Sequence, residues 1–369
     1  MAACNDTVLR QHIETAGRNA SYISPQVQND IISACNSVLQ RSIIAEVNEA
    51  RFFSLLADET TDVSRKEQLT VCLRYVHPDF TIRERFLCFA EATDLTGMGL
   101  SVQLLSVLRE CHIDTNNMVG QGYDGAAAMS GHMNGVQKHI REQCPSAVYV
   151  HCASHPLNLC LLKASQVPDI RKALTVMHEL AGLYCGSNKR LLHPQERIQE
   201  ECPESTHTRL KMHCTTRWVE KQEAVRIFKE RLPAIRVSLE QICIWPHQDC
   251  SGKALIFESG LNGAFLVVLE ILSSVLEVTK PLSVKLQSES QDIHHAMEGV
   301  MDAVNVLQQL RDDEPAYDRI FQRAQESHGS EIAKTRMTGS QVHRANNPGS
   351  DARQYYRRGM FLPFIDVCL

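Results

Sequence analysis

Two aspartates stand where short apolar runs end. Asp58 closes RFFSLLAD and opens the sequence Asp-Glu-Thr-Thr, and Asp124 follows MVGQGY and precedes a Gly/Ala-rich stretch. Carboxylates brought together in this way suit metal-dependent phosphoryl transfer, in which hard oxygen ligands hold two divalent cations close enough to clamp the attacking and leaving oxygens. The spacing leaves a plainer reading open: Asp124 as the N-cap of a helix beginning at Gly125, and Asp58 as the first residue of a turn.

A second group lies close by, with His151, Cys152, His155 and Cys160 inside ten residues. Their spacing fits no standard four-ligand zinc set. Nothing around Cys152 supplies the activating surroundings a cysteine nucleophile needs, so a half-buried structural pair is the alternative. A third group surrounds Trp218, one of two tryptophans in the chain. Arg209, Lys211, Arg217, Lys221, Arg226, Lys229, Arg231 and Arg236 outnumber Glu220, Glu223 and Glu230 there. Basic groups beside an aromatic suit single-stranded or hairpin DNA ends, and equally an aromatic anchor on a solvated charged helix. Tyr355 to Arg358 form a smaller cluster of the same kind, read as loop or interface.

The elements that must carry these residues can be placed by periodicity. Gln26 to Val47 has helical spacing of apolar residues, starting after Ser24-Pro25, and is expected to pack against the segment C-terminal to it. Phe52 to Ala57 reads as a strand buried on both faces, Gln68 to Val76 as an alternating strand, and Thr81 to Ala92 as the third strand of a meander. A helix begins at Thr96, a fourth strand covers Asn117 to Tyr123, and Gly125 to Gln143 is helical. A fifth strand spans Ala147 to Cys152, and Pro156 opens the next helix. The order βββαβαβα is that of a ribonuclease H-like α/β core with a mixed sheet.

Beyond about Asp169 the pattern is all helical. Ile170 to Leu183 and Trp218 to Arg231 are helices, with polar loop or irregular helix over Asn188 to Thr208. Gly263 to Leu286 is a long apolar helix. Ile293, Met297, Val300, Met301, Val304 and Leu307 have the spacing of a packing seam, so the two helices are expected to pair antiparallel. Residues 327 to 354 read as a flexible basic loop. The chain closes on FLPFIDVCL, an apolar run with nothing after it to pack on, which suggests a truncated product. The expected domains are a helical lead-in (1–50), the ribonuclease H-like core (51–187) and a helical insertion (188–369).

The totals bound the function. With 43% hydrophobic and 22% charged residues the chain is globular rather than disordered, and a net charge of -5 confines nucleic-acid binding to local patches. Fourteen cysteines without any Cys-x-x-Cys read as reduced thiols of cytosol or nucleus. The N-terminus lacks the apolar stretch of a signal peptide. Ala264 to Val278 carries Glu270 and Glu277 and falls short of the roughly 20 residues of a membrane span, so no membrane role is expected.

Four motifs in order, LADETTD (56–62), GQGYDGAAAMSG (120–131), YVHCASHPLNLC (149–160) and TTRWVE (215–220), resemble the hAT superfamily of DNA transposases. They are most similar to its domesticated members among zinc finger MYM-type and THAP-domain proteins. The resemblance implies that Asp58 and Asp124 match the first two catalytic acids, which would bind Mg2+ or Mn2+ in an active enzyme. It places Cys152 and His155 beside the acids in strand transfer, and Arg217 and Trp218 at DNA, with Trp218 a stacking platform for a flipped base. The family's third acid, a glutamate after a helical insertion, has no counterpart that can be named here, so the C-terminal part of the core is expected to be missing. Active relatives also carry an N-terminal zinc-binding targeting module and a C-terminal dimerisation segment, and neither is visible. The implied product is a nuclear, transposon-derived protein that contacts DNA and other proteins. It would be catalytically incomplete, with any homo- or hetero-oligomer formed through segments outside this chain. The alternative is an active DNA transposase.

Overall fold

The computed structural model describes residues 7–17, 24–62, 64–185, 218–246, 248–289, 292–333 and 351–369. They form two compact units, 1–152 and 153–369. The helices after residue 153 bury Leu161, Ile170, Met177 and Leu180 in the helical core, which is why the second unit begins there.

The first unit opens with α1 (Thr7–Thr15) and α2 (Pro25–Ala50). Ser24 caps α2 by accepting from the Val27 N–H at 3.3 Å, and Pro25 occupies the first turn, where its missing N–H is harmless. The expected packing of α2 holds only near its C-terminal end. Val47 is buried and Ile43 and Ile44 lean on the sheet's core, whereas Ile31, Ile32, Val38 and Leu39 are exposed. Polar contacts fix that end: Glu46 Oε2 accepts from Tyr75 Oη at 2.6 Å and from Arg83 Nη1 at 3.0 Å.

The strands are β1 (Phe53–Thr61), β2 (Glu67–Val76), β3 (Ile82–Glu91), β4 (Met118–Tyr123) and β5 (Val148–His151). They make the expected mixed sheet, in the order β3-β2-β1-β4-β5. β1 pairs antiparallel with β2 and β2 with β3, while β1 with β4 and β4 with β5 are parallel. Between β3 and β4 runs α3 (Gly97–Glu110). α4 (Ala127–Ser130) and α5 (Val136–Gln143) connect β4 to β5.

β1 is central, yet it is not covered on both faces. Phe53, Leu55 and Ala57 are buried with Leu69, Val71, Leu73 and Tyr123 beneath α3 and α5, while Ser54 and Leu56 are half-buried and Asp58 is exposed. The neighbours of Leu56 on that second face are Cys72, Gly122 and, one strand further, Val150, which is exposed. With Ser54 its one polar residue, the run shows no regular alternation, so it could not distinguish one covered face from two. The expected single helix over Gly125 to Gln143 is two short ones. The Gly131–Gly135 turn interrupts it, held by the Gly135 N–H to Gly131 carbonyl bond at 3.0 Å. A Cβ on Gly135 would come within 2.4 Å of the Gly131 backbone, so the turn closes only with glycine there.

The second unit contains α6 (Ser154–Ala164), α7 (Pro168–Cys185), α8 (Trp218–Glu230), α9 (Leu232–Cys243) and α10 (Gln248–Gly260). After these come α11 (Gly263–Lys285), α12 (Ile293–Asp312), α13 (Glu314–His328), α14 (Ala352–Tyr356), a π turn over Arg357–Phe361 and α15 (Leu362–Cys368). α11 is apolar on nearly all sides, with Phe265 to Leu272 buried throughout, and the other helices pack around it. Its buried Glu270 accepts from Lys229 Nζ at 2.9 Å and Arg323 Nε at 2.8 Å. No single described helix is long and apolar enough to cross a membrane; α10 and α11 meet that criterion only as a pair bent by 69°. The polar section Asn188 to Thr208 lies outside the described residues, as does most of the expected loop, while residues 327 and 328 finish α13.

Two expectations about this unit are corrected. α12 does pack on α11, but through Ala303 and Leu307 on its own side. Ile293, Met297, Val300, Met301 and Val304 form an exposed stripe along its outer side. The four-and-three spacing identified an apolar stripe without fixing which flank would face the core. Met301→Gln should therefore change stability by less than about 0.5 kcal/mol in chemical denaturation, as at an ordinary surface position. Conversely, the closing FLPFIDVCL is not an unpacked tail. Phe361, Phe364 and Ile365 are fully buried against helices that precede them in sequence.

Candidate functional site

The parallel pairing of β1 with β4 decides where the two aspartates go. Leu56 is opposite Gly122, and Asp58 and Asp124 each lie two residues further along. Tyr123 on β4 is in turn opposite His151 on β5, so Asp124 and Cys152 each come directly after a paired position. The C-terminal ends of three adjacent parallel strands thus carry Asp58, Asp124 and Cys152 in one row. In open α/β sheets this is the edge at which ligands are bound. β4 comes close to β1 because it presents Gly120 and Gly122. A Cβ at Gly120 would meet Ser54 Oγ at 2.4 Å, and one at Gly122 would meet Leu56 Cδ2 at 2.7 Å.

The side chains in that row have different local roles. Asp58 is exposed, on the sheet's open face, opposite Thr70 of β2. Asp124 is half-buried, and its Oδ1 accepts from the Ala126 N–H at 3.0 Å, an Asx turn leading into α4 rather than a cap on a helix beginning at Gly125. The Asp124 carbonyl accepts from Tyr149 Oη at 3.2 Å. The Cys152 N–H donates to the Tyr123 carbonyl at 2.9 Å, which extends the ladder one residue past His151, and its side chain is exposed.

Sequence reasoning missed Glu59. It is half-buried on the core face of β1, opposite Leu69, and its carboxyl is pushed above the usual carboxylate range. Burial is the main cause, and the negative charges of Asp124, Glu67 and Asp58 add to it in that order. The signal available in the sequence was the adjacent acid pair Asp58-Glu59 on a strand, where successive side chains point to opposite faces and one of the two must face the core. Because the folded pKa lies above the unfolded value, the folded state holds its proton more tightly than the unfolded one. The penalty is therefore absent below the unfolded pKa near 4.5 and grows as pH rises through the folded pKa. Glu59→Gln should raise the melting temperature at pH 7 and leave it unchanged at pH 4, a comparison that differential scanning fluorimetry can make.

The remaining predicted residues belong to the second unit or lie outside the described residues. His155 is the second residue of α6, so it belongs to the second compact unit while Cys152 ends the first. Arg217 lies outside the described residues, and Trp218 opens α8 with its side chain outside them. The described basic residues of the window expected to meet DNA are engaged or buried within their own unit. Arg226 pairs with Glu223 and Glu230, Lys229 with Glu270, and Lys221 and Arg231 are buried. Arg236 donates to the carbonyls of Ser327 and Leu261.

A divalent cation needs several hard ligands at one point. Among the described residues no three His, Cys, Asp or Glu side chains are grouped closely enough to hold a metal ion. The row at the strand ends therefore does not complete a cation site from its own described donors. Cys72, beside Leu56 on the open face, is no nucleophile: burial, then the charges of Glu84 and Asp58, push its thiol up to about 11.

Comparison with known proteins agrees with this fold. The family described as DUF4371, "ZMYM1/FAM200, RNase-like domain", matches residues 1–135, which include β1 to β4 and both Asp58 and Asp124. The human 52 kDa repressor of the inhibitor of the protein kinase is 24% identical over 374 residues, covering 98% of this chain and 49% of the relative. Its mouse counterpart is 25% identical over 321 residues, covering 85% and 42% respectively. The chain spans about half the length of the curated relatives it matches. These similarities support a transposon-derived, transposase-like protein with a ribonuclease H-like sheet.

Proposed function

We propose that this chain is a transposon-derived protein of hAT type whose ribonuclease H-like core is catalytically incomplete and whose retained role is contact with DNA and other proteins in the nucleus. The observation that carries this reading is the row at the strand ends. Asp58, Asp124 and Cys152 stand at adjacent C-terminal strand ends, yet no three potential metal ligands among the described residues converge, and Asp124 is committed to the turn at Ala126. DNA contact on this reading is made at that edge of the sheet, and the family resemblance adds Arg217 and Trp218 as DNA-contacting residues. The exposed apolar stripe on α12 supports the protein-contact half of the role, because contiguous apolar surface of this kind marks interaction sites.

The same row also supports the second reading, an active DNA transposase in which Mg2+ or Mn2+ is held by Asp58 and Asp124 with a third acid from elsewhere. One experiment separates the two. The purified chain is mixed with labelled hairpin and nicked duplex DNA in the presence of Mg2+ or Mn2+, and binding and cleavage are monitored together. Binding that weakens as salt is raised, without cleavage, is the expected result. Cleavage that disappears in Asp58→Asn would establish the transposase instead, and absence of DNA binding would remove both readings.

A further inference from the structure

Cys160 and Cys368 are 208 residues apart in sequence, and the folding of the helical unit brings them together. Cys160 lies on α6 and Cys368 ends α15, and the two helices pack against each other. Cys160 Sγ is 3.2 Å from the Val367 carbonyl oxygen and 3.8 Å from that of Cys368. Both thiols are free and half-buried. We propose that Cys160 and Cys368 are an oxidisable dithiol that forms a reversible disulfide, fixing α6 to α15.

The surroundings divide the roles between the sulfurs. The Cys160 thiol is drawn below its ordinary value by a hydrogen bond from the Cys368 thiol, with the Lys163 ammonium adding to the effect against the cost of burial. Cys368 is pushed up by that same bond and by burial. With both protonated, Cys160 donates to the Val367 carbonyl; once ionised, it accepts from the Cys368 thiol. Cys160 is therefore the sulfur that attacks, since the thiolate is the nucleophile.

With hydrogen peroxide as oxidant the atoms balance. The Cys160 thiolate attacks one peroxide oxygen, the O–O bond breaks, and hydroxide leaves and takes up a proton to become water. The resulting Cys160 sulfenic acid is attacked by the Cys368 sulfur, which loses its proton as the S–O bond breaks and a second water departs. Two thiols and one peroxide give one disulfide and two waters. Attack on a small disulfide such as oxidised glutathione reaches the same product by exchange, releasing two equivalents of reduced thiol.

The bond would close a loop of most of the helical unit and so restrict its unfolded ensemble. It would also hold in place α6, the helix that carries His155. The test uses the unmodified chain. Reduced protein is treated with hydrogen peroxide, its remaining thiols are blocked with N-ethylmaleimide, and tryptic peptides are mapped without reductant. The expected result is one dominant cross-linked species joining the Cys160 and Cys368 peptides, released by dithiothreitol and accompanied by a rise in melting temperature of about 5–10 °C. Cys160→Ser and Cys368→Ser should each abolish both the species and the rise. Blocked thiols at both positions after oxidation, or a dominant cross-link from either residue to another cysteine, would overturn the proposal whether or not the variants fold.

Discussion

Phe364→Ala is expected to destabilise the helical unit by about 3–5 kcal/mol, the range for removing a fully buried aromatic ring. Phe364 is 0% exposed and belongs to the core that α11 organises, with Phe361 and Ile365 beside it. The cost combines lost apolar transfer with a cavity that neighbours on several helices cannot fill together. Denaturant unfolding monitored by far-UV circular dichroism measures it, and a midpoint shift worth less than about 1 kcal/mol would place the closing segment outside the core. Met301→Gln is the natural control, an apolar-to-polar change at an exposed position of the same unit.

Gly97→Ala is expected to cost about 3 kcal/mol in the sheet-bearing unit, the upper part of the range for overpacking. The helix preference of alanine points the other way, but space decides here. A Cβ on Gly97 would sit 2.1 Å from the Asn134 carbonyl oxygen and 2.8 Å from both the Ala128 carbonyl oxygen and Gly135 Cα. These are backbone atoms of α4 and of the glycine turn, so no flexible side chain can give way. Either α3 shifts, pulling Leu100 and Leu104 from beneath the sheet, or the turn after Asp124 is displaced. Hydrogen exchange should accelerate over 127–135 in the variant. Gly182→Ala on α7 provides the contrast: nothing lies within 4 Å of its added Cβ, and stabilisation of about 0.5–1 kcal/mol is expected from the helix preference of alanine.

Much of the architecture was legible because it rests on local rules. The Ser24-Pro25 start of α2, the alternation of β2, the Thr96 cap of α3, and the passage from β4 to Asp124 are each set by a few neighbouring residues. The mixed sheet followed from the order of elements, and the structure places β1 beside β4 in it. The motifs around Asp58 and Asp124 fall on those two strands, each acid two residues past the Leu56–Gly122 pair.

Other features depended on what lies across space, which one-dimensional spacing does not contain. The run Phe52 to Ala57 could not say how many of its faces are covered, since Leu56 on the open face is as apolar as Leu55 on the core face. The stripe beginning at Ile293 could not say which flank turns inward, and the closing Phe361 to Leu369 gave no hint that its partners precede it. Glu59 became a perturbed acid only when burial and three neighbouring carboxylates surrounded it. The basic window around α8 lost its apparent freedom only when Glu270 and its own helix neighbours took up the charges. The sequence by itself determined the element order, the mixed sheet and the pair of motif acids, because hydrophobic period and capping act within a turn or a strand. Only the tertiary structure decided which faces are covered, which charges are neutralised and that Cys160 meets Cys368, because burial and Coulomb interaction depend on distance in space and not on separation along the chain.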